Sequence, residues 1–141
     1  MAINFHENNV ISGLKKKRVV KAWLHGILAA ENKIAGQINI IFTTDRQLHE
    51  INMQYLSKDY YTDIITFDYS EGSSISGDIF ISIERIEENA REFSVAKEKE
   101  LMRVMAHGFL HLLGYDDSTE KEKKSMRRME DKCLESSPVI Q

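Results

Sequence analysis

Apolar positions in this chain follow two periods, strict alternation in some stretches and helical spacing in others. Ala2 to His6 reads as a short strand. Leu14 to Glu31 has helical spacing, with Val19, Val20, Trp23, Leu24, Ile27 and Leu28 on one stripe. Gln37 to Phe42 is a compact strand that sets Ile38, Ile40 and Phe42 on one side and Ile41 on the other. Thr44-Asp-Arg-Gln47 has the form of a capping box, whose side chains satisfy the first N–H groups of a helix running to about Leu56. Ser57 to Thr62, polar and aromatic, predicts a connection. Asp63 to Tyr69 and Gly77 to Ile83 read as two strands joined by the Gly/Ser-rich turn Ser70 to Ser76. Glu84 to Ser94 is a charged amphipathic helix, and Lys97 to Leu113 is another, with Leu101, Val104, Met105, Gly108 and Leu112 facing inward. A second capping box, Thr119-Glu-Lys-Glu122, opens a last helix whose apolar side holds Met126, Met129, Cys133 and Leu134.

Strands and helices partly segregate in this order. That predicts an α+β fold in which about five helices pack on a small mixed sheet, with the antiparallel hairpin Asp63 to Ile83 inside the sheet or at one edge. A chain of 141 residues is long enough to bury a real core. We expect one domain over residues 1–135 and a short loose tail, 136–141, that holds the only proline, Pro138. A hydrophobic content of 42% and a charged content of 29% describe an ordinary globular protein. No run approaches the length of a membrane span, and Met1 to Asn9 lacks a basic-then-apolar signal pattern. Cys133 is the only cysteine, which excludes an intrachain disulfide, and cytoplasmic residence is the default expectation. A net charge of −3 argues against a broad, non-specific grip on nucleic acid. The basic cluster Lys15-Lys16-Lys17-Arg18 with Lys21 reads first as the solvated face of an early helix, and second as a patch that faces phosphate.

The chemistry concentrates in His107-Gly-Phe-Leu-His111-Leu-Leu-Gly114-Tyr-Asp-Asp117. Residues four apart on a helix share a face, so both imidazoles can reach one ion. Gly114 suits a left-handed helix end, after which the chain can fold back and offer Asp117 as a third ligand. Three protein ligands with one open position is the pattern of a catalytic zinc site, whereas structural sites are closed by four. Metzincin proteases carry H-E-x-x-H-x-x-G-x-x-H. Here both histidines and the glycine keep those offsets, Asp117 stands at the third histidine, and Gly108 replaces the glutamate that serves as the proteolytic base. Proteolysis of that class is therefore excluded, while the ligand geometry remains.

Asp116 competes with Asp117 for the third place, or orients a histidine from behind, and either aspartate also suits an ordinary turn. Two histidines and one carboxylate suit zinc, iron or manganese. Arg103, one turn before His107, either holds a phosphate near the ion or pairs with Glu100 or Glu130. His6, His25 and His49 have no partner at metal spacing.

The motif His107-Gly-x-Leu-His111-Leu-Leu-Gly114-Tyr-Asp resembles the signature of the YbeY family, bacterial metal-dependent endoribonucleases of ribosomal RNA maturation and quality control. Asn52-Met-Gln-Tyr55 is similar to that family's N-x-x-Y element, Thr62-Asp-Ile-Ile-Thr-Phe67 to its T-D-V-L-S-F strand, and Gly77-Asp-Ile79 to its G-D-I strand. Met126 through Glu130 resembles the M-x-x-x-E of its last helix, so the likeness spans roughly Ile51 to Leu134. Two positions depart from the pattern. Asp117 stands where the family has a third histidine ligand, and Leu56 stands where it has an arginine that acts on substrate, which leaves Lys58 or Arg103 for the phosphate contact.

The resemblance implies a metallo-endoribonuclease acting on single-stranded ribosomal RNA. It also implies one divalent ion, Zn2+ first, held by His107, His111 and Asp117, and partners among the ribosome or ribosomal proteins. No general base is evident within the motif. Two other functions fit the same residues: a non-catalytic ribosome-associated assembly factor, and a metal-dependent hydrolase of another substrate class.

Overall fold

Ile38, Ile40 and Phe42 are fully buried while Asn39 and Ile41 between them are not, which gives their strand one covered face. The computed structural model describes residues 2–57 and 62–138. In chain order the elements are β1 (Ala2–Glu7), α1 (Lys17–Ala29), β2 (Ile34–Thr43), α2 (Asp45–Leu56), β3 (Ile64–Asp68), β4 (Ser74–Ser82), α3 (Ile83–Glu92), α4 (Lys97–Leu112) and α5 (Glu120–Glu135). The sheet order is β1-β2-β4-β3, with β1, β2 and β4 parallel and β3 antiparallel to β4. This is the expected α+β arrangement, and the hairpin places β3 at an edge.

The register of that hairpin sets the ground for the site. Ile64 pairs with Ile81 and Thr66 with Ile79, so these side chains share one face, while Ile65 and Phe67 share the other with Phe80 and Asp78. Helix α4 packs on the first face. Its inward residues Leu101, Met105, Phe109 and Leu112 are buried, each contributing about 1.5–3 kcal/mol by leaving water. Gly108 brings the α4 backbone down onto the hairpin: a Cβ there would lie 2.9 Å from Ile64 Cδ1 and 3.2 Å from Ile79 Cδ1. Helix α2 lies against the opposite face, where Tyr55 meets Phe67 edge-on with ring centroids 6.0 Å apart.

Several boundaries differ from the sequence expectation, each for a local reason. Helix α1 begins at Lys17 rather than Leu14, because Lys16 adopts a left-handed conformation with φ of 54°. Val19 leaves the predicted stripe and is 49% exposed. Strand β4 begins at Ser74, since a Glu71–Ser74 bridge tightens the turn and returns Ser74 to Ser76 to the strand. Ile83 opens α3 instead of ending β4, because Ser82 Oγ accepts the Arg85 N–H as an N-cap. Only half of the first capping box forms: Thr44 accepts the Gln47 N–H, while the Gln47 side chain pairs with Thr43. The second box, Thr119 with Glu122, is complete. Among the described residues no helix is long and apolar enough to cross a membrane. The expected loop residues Lys58, Tyr60 and Tyr61, and residues 139–141 of the tail, lie outside the described residues.

Candidate metal centre

The second half of α4 carries His107 and His111 on one face, with ring centroids 4.5 Å apart and their Nε2 atoms 2.9 Å apart. The helix then ends in a Schellman motif at Gly114, whose φ is 103°. The Gly114 N–H donates to His111 C=O at 2.9 Å and the Tyr115 N–H to Leu110 C=O at 3.0 Å. This reversal carries Asp117 back over the histidines. Its Oδ2 lies 3.3 Å from His107 Nε2 and its Oδ1 3.6 Å from His111 Nε2. Asp116, by contrast, is exposed.

One ligand atom from each of His107, His111 and Asp117 can be chosen so that all lie within 4.8 Å of one another. Ligands about 2.0–2.1 Å from a tetrahedral zinc ion stand about 3.3 Å from each other. The two imidazole nitrogens stand 2.9 Å apart and each has an Asp117 oxygen nearby, Oδ2 at 3.3 Å from His107 and Oδ1 at 3.6 Å from His111, so the three side chains converge at ligand spacing beside the open cleft. The residues present fit a divalent ion.

Behind the first ligand stands Glu130 of α5, 5% exposed, with Oε2 2.6 Å from His107 Nδ1. A carboxylate there takes the Nδ1–H and leaves the Nε2 lone pair directed at the site, which is the usual support of a metal-binding histidine. Glu130 is itself held: Arg103 Nη1 donates to its Oε1 at 3.0 Å and Nη2 to Asp131 Oδ1 at 2.7 Å. Of the two readings of Arg103, pairing with Glu130 is what the structure contains, and the residue still lines the cleft. Burial works against a charged His107, yet the hydrogen bond and charge of Glu130, with the charges of Asp117 and Asp63, outweigh it and raise the pKa.

The centre opens into a cleft of about 580 Å³. One wall is β3 with the residues before it, Thr62 and Asp63; another is the α4 stripe Glu100, Arg103, Val104, His107. Asn52 and Leu56 of α2 line it, as do Asn89 of α3 and Arg127 of α5. Leu56, where the sequence resemblance expects an arginine, thus lies on the cleft. Lys58 lies outside the described residues.

Asp63, Arg127 and the contact made by Glu130 were not foreseen from the sequence. Glu130 left a trace: it falls four residues after Met126 and four before Leu134, both buried, so a carboxylate interrupts an apolar stripe. Arg127 lies one turn before Glu130 on the same helix. Asp63 opens the predicted strand Asp63 to Tyr69 and lies in the Thr62-Asp-Ile-Ile-Thr-Phe67 element, but nothing in that pattern places its carboxylate on the cleft.

An α+β sheet packed by a helix that bears two histidines, with a carboxylate returned by the following turn, defines an α+β protein with a zincin-like candidate metal site. Within that class the chain belongs to the family described as Endoribonuclease YbeY, whose profile matches residues 2–137. An Endoribonuclease YbeY of Flavobacterium johnsoniae is 47% identical over 132 residues, covering 94% of each chain. One of Bacteroides thetaiotaomicron is 43% identical over 134 residues, covering 95% of this chain and 98% of that protein. The solution structure of a Thermotoga maritima protein matches with a TM-score of 0.65 at 31% identity, covering 95% of this chain and 87% of the other.

Proposed function

We propose that this protein is a metal-dependent endoribonuclease that hydrolyses phosphodiester bonds of single-stranded RNA. In this reading it works in the cytoplasm on ribosomal RNA, during maturation and quality control, in contact with the ribosome. The observation that carries it is the convergence of His107, His111 and Asp117 on one point in an open cleft, within a family whose relatives are named endoribonucleases. Two imidazoles and one carboxylate within ligand reach of one point suit Zn2+. When bound, such an ion acidifies water and polarises a phosphoryl oxygen.

The chain's own residues divide the remaining work. Glu130 holds His107 in the ligating tautomer, and Arg103 holds Glu130, so Arg103 acts as a positioning residue. With Arg103 so engaged, Arg127 is the cleft cation we assign to the substrate phosphate; among the described residues no ion pair occupies it. Lys58 keeps the same role as an expectation from the sequence. Gly108 counts against a peptidase, because any side chain there meets Ile64 and Ile79.

Incubating zinc-loaded protein with single-stranded RNA and with casein tests the reading. RNA is cut, casein is not, and His111→Ala abolishes both cleavage and stoichiometric zinc. Cleavage undiminished in His111→Ala would overturn it.

A further inference from the structure

Gly108 leaves the metal helix without a carboxylate where zincin proteases keep their base, so a proton acceptor has to come from another element. Among the described residues four carboxylates line the cleft: Asp63, Glu100, Asp117 and Glu130. Asp117 faces both histidines, and Glu130 is taken by His107 and Arg103. Glu100 is 6% exposed, deeper in the wall. Asp63 remains, and its position is well defined. Its carbonyl accepts the Ser82 N–H at 3.0 Å, anchoring it at the mouth of the β3–β4 hairpin. Its carboxylate accepts from Asn89 Nδ2 at 3.4 Å, a long bond that leaves acceptor capacity for a further donor.

We propose that Asp63 is the proton-transfer residue of this cleft. Its carboxylate takes a proton from the water that attacks phosphorus, and its carboxylic acid returns that proton to the departing ribose oxygen. One P–O bond forms to the water oxygen and one P–O bond to ribose breaks, so one water is consumed and the carboxylate is regenerated. The inference rests on the endoribonuclease reading above.

The surroundings suit the task. In the metal-free protein burial pushes the Asp63 pKa up, and the charge of Glu130 adds to this, while a protonated His107 and Arg85 hold it back. Glu100 and Asp63 repel one another, and Arg103 and Arg127 face Glu100 from the same cleft.

The test compares wild type, Asp63→Asn and Asn89→Asp. With zinc loaded, Asp63→Asn keeps its ion content but loses about 100-fold or more in kcat, and the acid limb of the pH–rate profile disappears. Asn89→Asp sets a second negative charge beside Asp63 and moves that limb to higher pH. A readout independent of turnover comes from thermal midpoints of metal-free protein. Because the folded-state pKa of Asp63 is raised, its stabilising contribution is present below the unfolded value and lost as pH rises through the folded one. Asp63→Asn therefore melts higher than wild type at pH 7, and the advantage vanishes in acid. A purely structural Asp63 predicts a lower midpoint and an unmoved limb in Asn89→Asp; either result overturns the assignment. Cleavage by wild type that is undiminished in Asp63→Asn overturns this assignment alone, whereas no cleavage by wild type overturns the endoribonuclease reading and this one with it.

Discussion

Glu130 Oε2 lies 2.6 Å from His107 Nδ1, so a carboxylate on α5 fixes which ring nitrogen of an α4 histidine faces the cleft. The pair joins two helices through the atom that prepares the site. Replacing Glu130 by glutamine keeps the shape and removes the charge. The expected result is ion affinity weakened by about 10- to 100-fold with the fold intact. Chelator competition reads the first and circular dichroism the second.

Asp117 stands where the sequence resemblance expects a third histidine. An Asp117→His variant is expected to bind zinc and cleave RNA as wild type does, and Asp117→Ala to lose both. Calorimetric zinc titration separates these outcomes, and wild-type affinity in Asp117→Ala would remove that residue from the ligand set.

Gly108→Glu restores the protease sequence at the motif. The new side chain meets Ile64 and Ile79, and overpacking of this kind costs about 1–3 kcal/mol. A lower thermal midpoint with no gain of casein hydrolysis is expected.

Arg127 is assigned to the substrate phosphate. Arg127→Ala is expected to raise KM for RNA, leave kcat and zinc content nearly unchanged, and flatten the salt dependence of binding by about 0.7 in log–log slope for one single-strand phosphate contact. Binding measured across a salt series checks the last point.

Acid sensitivity should have a component far from the cleft. Glu7 Oε2 accepts the Ser12 Oγ–H at 2.7 Å and the Ser12 N–H at 2.8 Å. These bonds, aided by the charge of Lys17, lower the Glu7 pKa. A lowered folded-state pKa gives stability that is present above the unfolded value and lost as pH falls through the folded one. Glu7→Gln should therefore melt below wild type at pH 7 and converge with it in acid.

Much of this was legible along the chain because it rests on local periodicity. The α4 stripe, the four-residue histidine spacing and the Gly114 helix end are properties of a single helix and its turn. The complete Thr119 cap is likewise local. What escaped depends on contacts between elements distant in sequence. Glu130 reaches His107 only because α5 packs on α4, 23 residues further along. Asp63 joins the cleft only because β3 is the edge strand beside α4. The late start of α1 has another origin: nothing in the side chain of Lys16 announces a left-handed backbone.

The Gly114 turn divides the three proposed ligands into two mechanical kinds. His107 and His111 ride on a buried helix whose backbone is pressed against the sheet, so their spacing persists whether or not an ion is present. Asp117 hangs from the connection beyond that turn and is 39% exposed. It is thus the ligand that can swing away without disturbing the core. Ion capture and release are expected to proceed through Asp117, with the helical pair as the fixed seat and the aspartate as its latch.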